Sequence, residues 1–344
     1  MINFLNDYSE GACPEIMREL IRTNFEKTVG YSKDEYCLEA KTLIQKAVGK
    51  VGNNDVDVHF LVGGTQANLT IISYLLKPYE AVIACHSGHI NTHETGAIEA
   101  TGHKVIETKA KDGKIQISEI EHVLKTHLNE HMVRPRMVYI SNSTEIGTIY
   151  TKQELEVLSD YCYEKNLILF MDGARLGAAL TSSANDLSLN DIAKLTDVFY
   201  IGGTKNGALF GEAVVFPNPG VAKYFRYSIK QRGGMLAKGR LLGIQFKELF
   251  KSDLYFKLAK HANTLAYELQ DGLKMLDVDL MCESTTNQIF PIVTKEVKES
   301  LEKDYAFEVW EELEDGRYIL RFVTSWASSK KDVQSLLQSL EALK

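Results

Sequence analysis

Two charged residues stand at the ends of two apolar segments of the chain. The segment 167–171 is wholly apolar and leads directly into Asp172, and the apolar segment 198–201 is followed by two glycines, a threonine and Lys205. Apolar runs of this length predict buried strands, and an α/β sheet places its chemistry beyond the ends of its strands. Because a charge beside a buried strand is costly unless it is paired or used, the two residues form either a structural salt bridge or part of a catalytic site.

The two residue types suit one cofactor in particular. A lysine amine forms a Schiff base with an aldehyde, and an aspartate can keep a pyridine nitrogen protonated, so that the ring accepts electrons. Proteins equip pyridoxal 5'-phosphate with this pair of groups. The segment 172–175 (Asp-Gly-Ala-Arg), followed by Gly-Thr-Lys at 203–205, resembles the threonine aldolase family of fold-type-I pyridoxal phosphate enzymes.

Strand and helix signals alternate through the first two thirds of the sequence, which predicts a largely parallel sheet with crossover helices. Helices are predicted over 15–24, 35–48, 66–76, 90–101, 117–128, 152–166, 190–195, most of 221–276, and 331–343. Strands are predicted over 59–62, 81–85, 104–108, 137–141, 167–171, 198–201, 213–216, 288–293 and 318–323. The resemblance implies an α/β, PLP-dependent transferase-like fold of type I. We expect a large domain with an N-terminal arm and a mostly parallel seven-stranded sheet over 1–248, and a smaller α+β domain over 249–344.

Residues 63–66 (Gly-Gly-Thr-Gln) lie at a predicted strand-to-helix junction. The free N–H groups at a helix start attract phosphate, and glycine lets the anion approach the backbone. Many loops contain two glycines, so this signal is weak alone. The resemblance assigns Gly64 and Thr65 to the cofactor phosphate, with Gln66 close by, and adds Thr204.

The segment 85–94 contains cysteine, three histidines and a glutamate, all of which can bind zinc. No matching ligand pair occurs elsewhere, so we predict no metal site. In the family that the chain resembles, a histidine stacks on the pyridine ring, which assigns His89 and gives Glu94 a supporting part. We interpret His93 as a surface histidine or one whose hydrogen bonds are satisfied within the protein.

Arg321 lies inside an apolar segment, 319–323. A buried guanidinium requires an anion and can hold a carboxylate with two hydrogen bonds, although an edge-strand arginine exposed to solvent fits the same pattern. The resemblance assigns Arg321 and Asn6 to the carboxylate of an amino-acid substrate. It also places Arg175 near cofactor or substrate oxygens, and Tyr31 near the active site.

Two positions depart from the family pattern. Where well-known threonine aldolases carry a second histidine near the substrate hydroxyl, this chain has Glu145. That residue leaves the preferred substrate open and resembles the low-specificity or phenylserine branch. The arginine that usually reaches the phosphate of the neighbouring subunit is replaced by leucine, and Arg232 or Lys238 could take its place.

Composition limits the other classes of function. The chain has 344 residues, a net charge of −7 and no basic stripe, which argues against nucleic acid as a partner. No apolar run is long enough to span a membrane. The N-terminus lacks the pattern of a signal peptide, and the five cysteines are scattered, which is typical of reduced thiols in the cytoplasm.

The resulting hypothesis is a PLP-dependent lyase that cleaves L-β-hydroxy-α-amino acids, such as L-threonine, L-allo-threonine or phenylserine, to glycine and an aldehyde. Its catalytic residues would be Lys205, His89, Asp172 and Glu145. The resemblance also implies a homodimer or homotetramer. The alternatives are another PLP-dependent lyase or transferase, acting by β-elimination or transamination, and a binding protein that kept only the fold.

Overall fold

The structure, a computed structural model, describes residues 1–110 and 112–343. Its strands are β1 (Ile2–Asn3), β2 (Asp57–Leu61), β3 (Glu80–Cys85), β4 (Val105–Thr108), β5 (Arg134–Ser141), β6 (Ile168–Asp172), β7 (Val198–Gly202), β8 (Glu212–Phe216), β9 (Gln288–Ile289), β10 (Ile292–Val293), β11 (Tyr305–Ala306), β12 (Glu308–Glu312) and β13 (Tyr318–Val323). Its helices are α1 (Pro14–Thr23), α2 (Glu35–Val48), α3 (Gly64–Leu75), α4 (His89–Thr92), α5 (Ile117–Thr126), α6 (Lys152–Glu164), α7 (Leu176–Leu180), α8 (Leu189–Leu195), α9 (Phe225–Gln231), α10 (Arg240–Lys251), α11 (Leu254–Met275), α12 (Lys295–Leu301) and α13 (Lys330–Glu341).

The large sheet has seven strands in the order β2-β8-β7-β6-β5-β3-β4. Strand β8 is antiparallel to both of its neighbours, and the other adjacent pairs are parallel. The predicted α/β fold with a mostly parallel sheet is therefore confirmed. Strands β6 and β7 are direct neighbours, so the segments that follow them leave the sheet side by side.

Both faces of this sheet are covered. Alternate residues of the strands point into two separate apolar clusters: Met171 and Phe199 belong to one, and Phe170 and Val198 to the other. The sequence of a strand that is buried on both faces is a nearly continuous run of apolar residues. That is why the strand segments could be recognised in the sequence.

A third apolar cluster joins the C-terminal elements to the start of the chain. It contains Leu265 on α11, Leu320 on β13 and Leu336 on α13, together with Phe4. Strand β1 pairs in parallel with β11, so the N-terminal segment packs on the C-terminal unit. The predicted division after residue 248 lies within α10, and it stays a prediction.

The helix predicted over 90–101 was wrong. Only α4 and a 3₁₀ turn at Glu99–Thr101 are helical there. Thr95 and Gly96 both have positive φ angles, of 50° and 70°, which a continuous helix does not allow. The strand predicted over 288–293 is also interrupted, between β9 and β10. Among the described helices, none is both long enough and apolar enough to cross a membrane.

Candidate active site

The ends of β6 and β7 approach so closely that only glycine fits at two positions. A Cβ atom on Gly173 would lie 1.8 Å from the backbone oxygen of Tyr200, and one on Gly202 would lie 2.4 Å from that of Ala174. The backbone N–H of Gly202 also donates to the oxygen of Gly173, at 2.9 Å. These contacts fix the two segments that carry Asp172 and Lys205.

Asp172 and Lys205 face one cavity of about 170 Å³ at this edge of the sheet. Of the residues predicted from the sequence, those that line it are Gly64, Thr65, His89, Glu145, Asp172, Arg175, Thr204 and Lys205. A neighbouring cleft of about 670 Å³ shares six of them and adds Asn6 and Arg321. The sequence therefore predicted ten of the 21 residues that line the cavity and the cleft.

Asp172 is held as an ionised carboxylate. Its Oδ2 accepts hydrogen bonds from the hydroxyl of Tyr139 and from Asn68 Nδ2, and its Oδ1 accepts one from the backbone N–H of Ala174, at 2.9 Å. Burial alone would raise the pKa of Asp172, but the charge of His89 and the bond from Tyr139 outweigh it, so the pKa lies below its ordinary value. A buried anion of this kind fits the protonated nitrogen of a pyridine ring.

The amine of Lys205 faces the same cavity as Asp172 and lies 5.9 Å from the ring centre of Tyr8. Burial, and after it the positive charge of Arg175, lower the pKa of Lys205. A lowered pKa increases the fraction of neutral, nucleophilic amine. Lys205 is therefore suited to bond an aldehyde carbon.

His89 has a fixed orientation in the cavity wall. Its Nδ1 lies 2.8 Å from Oε1 of Glu94, which is buried. A carboxylate accepts hydrogen bonds, so this contact places a proton on Nδ1 and holds the imidazole plane. The predicted support of His89 by Glu94 is present. His93, for which the sequence predicts a surface or satisfied histidine, is exposed and also lines the outer cleft. Its ring centre lies 5.5 Å from that of His89.

The first turn of α3 offers donors to an anion. The first intrahelical bond runs from Ala67 to Gly63, so the N–H groups of 64–66 have no partner within the helix, and Gly63 provides no side-chain cap. The buried hydroxyl of Tyr200 lines the same cavity and lies close enough to Asp172 to help lower the pKa of that carboxyl. A Cβ on Gly64 would come within 3.1 Å of the Tyr200 hydroxyl. The free N–H groups at the start of α3 fit the phosphate of PLP. The side chain of Gln66 instead contacts Val62 and Arg232.

The hydroxyl of Thr204 is already engaged. It donates to Glu212 Oε1 at 2.8 Å and accepts from the backbone N–H of Gly211 at 3.0 Å. Burial raises the pKa of Glu212 to about 8, although the hydrogen bond from Thr204 opposes this. The sequence analysis missed Glu212, which lines the cavity. In the sequence, Glu212 is visible as a single carboxylate at the start of an apolar strand.

Two arginines line the outer cleft. Arg175 binds Asp7 through two hydrogen bonds, from Nε at 2.7 Å and from Nη2 at 3.0 Å. Arg321 pairs with Glu308 and lies over the ring of Trp310. The Nε of Arg321 is buried without a hydrogen-bond partner among residues 1–110 and 112–343, so it can still donate to an anion.

Of the remaining predicted residues, Asn6 and Glu145 lie at the site, whereas Tyr31, Arg232 and Lys238 do not. Asn6 lines the cleft, where its Oδ1 accepts bonds from Tyr8 and Ser9. Glu145 lies between cavity and cleft, and its Oε1 accepts from Ser141 and from the backbone of His89. Burial raises the pKa of Glu145, although the hydrogen bond from Ser141 opposes this.

Tyr31, Arg232 and Lys238 line neither the cavity nor the cleft. Tyr31 is exposed and lies under Lys230, and Lys238 lies beside the exposed loop that follows α1. Within one chain, the structure does not bring these three residues to the site. Across the part of the chain that is described, no three His, Cys, Asp or Glu side chains are grouped as metal ligands.

Comparison with known proteins identifies the family of the chain. The model of the beta-eliminating lyase family matches residues 3–296. A low specificity L-threonine aldolase of a Pseudomonas species is 30% identical over 99% of this chain and 97% of its own length. A solved structure of Leishmania major threonine aldolase superposes with a TM-score of 0.97 and 48% identity, over 100% of this chain and 99% of that one. The fold alone is shared with Thermus thermophilus aspartate aminotransferase (TM-score 0.72, 13% identity, 100% of this chain and 92% of that one). The chain belongs to the beta-eliminating lyase family, and within it to the threonine aldolases, which are pyridoxal phosphate enzymes of fold type I.

Proposed function

We propose that the protein cleaves the Cα–Cβ bond of L-β-hydroxy-α-amino acids, threonine among them, and releases glycine and an aldehyde. One observation carries the proposal most directly: Asp172 and Lys205 face a single cavity that opens into a cleft lined by two arginines. The relatives named as low specificity L-threonine aldolases support the same reaction.

The inner cavity has the residues to hold pyridoxal phosphate, which when bound supplies an electron sink for the carbanion that bond cleavage leaves at Cα. Asp172 would hold the pyridine nitrogen, His89 would lie against the ring, and Lys205 would hold the aldehyde carbon. The N–H groups at the start of α3 would donate to the phosphate. Thr204 can also donate to the phosphate only if its hydroxyl hydrogen turns away from Glu212, to which it is donated in the structure.

The outer cleft would hold the substrate carboxylate. Arg321 has a free buried Nε, and two of the three nitrogens of the Arg175 guanidinium are held by Asp7. Bidentate binding by arginine fixes both the position and the orientation of a carboxylate. Asn6, at the same cleft, would complete this binding.

Cleavage also needs a base for the hydroxyl proton. Glu145 is suited to this because its carboxylate lies at the junction of cavity and cleft, and because burial raises its pKa, which makes it a stronger base than an ordinary glutamate. His93 also faces the cleft, and its pKa is lowered by burial and by His89, so it is available in the neutral form. His89 or a bound water remains a further candidate.

We further infer a homodimer or homotetramer located in the cytoplasm. Tyr31, Arg232 and Lys238 lie away from the cavity of their own chain, as expected of residues that serve a neighbouring subunit. The exposed face of α1 and the loop after it carry Ile21 and Phe25, which are 70% and 93% exposed, and an apolar patch of this kind favours association. Light scattering of the purified protein would give the mass of the assembly, and a monomer would contradict the inference.

The function is tested in two steps. The purified protein should show visible absorbance from bound cofactor, which Lys205→Ala should abolish. The protein is then incubated with L-threonine and with L-phenylserine. Glycine and the matching aldehyde would support the proposal, whereas keto acid and ammonia would indicate β-elimination instead. A colourless protein that binds no pyridoxal phosphate would exclude both reactions.

A further inference from the structure

Asn68 lies on α3, one turn after the residues assigned to phosphate, and is fully buried. Its Nδ2 donates to Glu94 Oε1 at 2.8 Å and to Asp172 Oδ2 at 3.1 Å. An amide nitrogen carries two hydrogens. The donor capacity of this side chain is therefore used entirely on two carboxylates that lie far apart in the sequence.

The opposite orientation of the amide is unfavourable. It would place the carbonyl oxygen of Asn68 against two carboxylate oxygens, which are themselves acceptors. In the orientation observed, Oδ1 has no hydrogen-bond partner within the described residues. An unpartnered buried carbonyl costs free energy, so the side chain is placed for its two donated bonds and not for complete pairing.

Each of the two acceptors also contacts a second group at the site. Oε1 of Glu94 lies against Nδ1 of His89, and Oδ2 of Asp172 accepts the hydroxyl of Tyr139. A continuous path of hydrogen bonds thus connects His89 through Glu94 and Asn68 to Asp172. Two carboxylates in one buried space would repel each other without a donor between them.

We propose that Asn68 is a positioning residue of the cofactor site: by donating one hydrogen to Glu94 and one to Asp172, it fixes the imidazole of His89 and the carboxylate of Asp172 relative to each other. The identity of the cofactor in this inference rests on the proposed function. Asn68 itself need not touch cofactor or substrate. It acts through the two carboxylates, and its removal should loosen both walls of the cavity together.

Two substitutions separate this role from simple filling of space. Asn68→Ala removes the donors and leaves a small void. Asn68→Asp keeps the size but places a further carboxylate between Glu94 and Asp172. The titratable groups around these two are His89, Tyr139, Glu145, Tyr200, Lys205 and Glu212. The added carboxylate becomes compatible with its neighbours only when a proton is bound, so the defect of Asn68→Asp should be relieved at low pH.

Asn263 provides a matched control. It is also a buried asparagine whose Nδ2 donates two hydrogen bonds, to the oxygen of Ala178 and to Thr181 Oγ1, and whose Oδ1 is unpartnered within residues 1–110 and 112–343. Neither of its acceptors is a carboxylate. Asn263→Ala and Asn263→Asp therefore make the same changes in side-chain volume and hydrogen-bond donors as the Asn68 variants. They leave the path of hydrogen bonds from His89 to Asp172 unchanged.

The measurement is the dissociation constant of pyridoxal phosphate, read from the visible absorbance of the bound form, for the wild type and the four variants between about pH 6 and pH 8.5. We expect Asn68→Ala to weaken binding by about 10- to 100-fold, the range for loss of a hydrogen bond to a charged group. The Asn263 variants should stay within about twofold of the wild type. Asn68→Asp should regain affinity toward pH 6, and the Asn263 variants should not.

Equal binding by Asn68→Ala and Asn263→Ala would overturn the proposal, as would an affinity of Asn68→Asp that does not change with pH. If Asn68→Asp does not fold, the comparison of the two alanine variants decides. Because the readout is binding and not turnover, a wild type that binds the cofactor but does not cleave threonine would refute the proposed function and leave this test intact.

Discussion

Asp7 and Arg175 form a bidentate ion pair across 168 residues of sequence, with Arg175 Nε 2.7 Å and Nη2 3.0 Å from the carboxylate of Asp7. Both side chains are largely buried, and Asn287 Nδ2 donates a further bond to Asp7 at 2.9 Å. The pair joins the N-terminal segment to the end of β6. Asp7 therefore holds in place an arginine that faces the cleft.

Asp7→Asn should destabilise the protein because it leaves the guanidinium of Arg175 buried and unpaired. Breaking a buried pair costs about 3–5 kcal/mol, and this loss should appear in the free energy of unfolding measured with urea. Asp315→Asn, at the exposed pair with Arg317, is the control and should leave the free energy of unfolding nearly unchanged, because exposed ion pairs contribute little to stability. Similar losses in both variants would contradict the prediction.

The same pair predicts a dependence of stability on acid. Burial would raise the pKa of Asp7, but Arg175 and Lys205 outweigh it and the pKa is lowered. A carboxylate whose pKa is depressed in the folded state stabilises the protein at pH values above the ordinary pKa of about 4. This contribution is lost as the pH falls through the pKa of the folded state. The stability of the wild type should therefore fall below about pH 4 more steeply than that of Asp7→Asn. Parallel curves would exclude Asp7 as the source.

Glu212 predicts the opposite dependence on pH. Because its folded pKa is raised to about 8, the folded protein keeps a proton that the unfolded chain has lost above about pH 4. Its contribution to stability is complete below that pH and is lost as the pH rises toward 8. Relative to the wild type, Glu212→Gln should thus gain stability between about pH 5 and pH 8, on the order of a few kcal/mol. Urea unfolding of the cofactor-free protein measures this, and a difference that stays constant with pH would contradict it.

The strands and the residues at their ends could be predicted because they leave a local pattern. The apolar segment before Asp172 indicates a strand that is buried on both faces. The glycines that follow β6 and end β7 indicate that the two backbone segments lie close together. Asn68, Asp7 and Glu212 could not be given a role from the sequence because their partners are distant: Asn68 donates to Asp172 across 104 residues of sequence. A polar residue in a helix or strand does not itself indicate which buried charge it will meet.

Arg321 should govern the affinity for the substrate carboxylate. Arg321→Lys keeps the charge but loses the planar fork, and we expect it to raise KM for threonine by about 10- to 100-fold with a smaller effect on kcat. The control is Glu308→Gln, which removes the charge paired with Arg321 and should not raise KM. A fall in kcat at unchanged KM in Arg321→Lys would place this residue outside carboxylate binding.

Glu145 should act after the substrate has bound. Its carboxylate accepts bonds from Ser141 and the backbone of His89, so Glu145→Gln keeps the size and an acceptor oxygen and removes the ability to take a proton. General-base catalysis contributes about 10²- to 10⁴-fold, so kcat should fall by that factor while KM changes little. Because burial raises the pKa of Glu145, the acid limb of the pH profile of kcat should lie above the ordinary glutamate range and disappear in the variant. If that limb remains in Glu145→Gln and is lost in His93→Asn, then His93 is the base, because both side chains face the cleft.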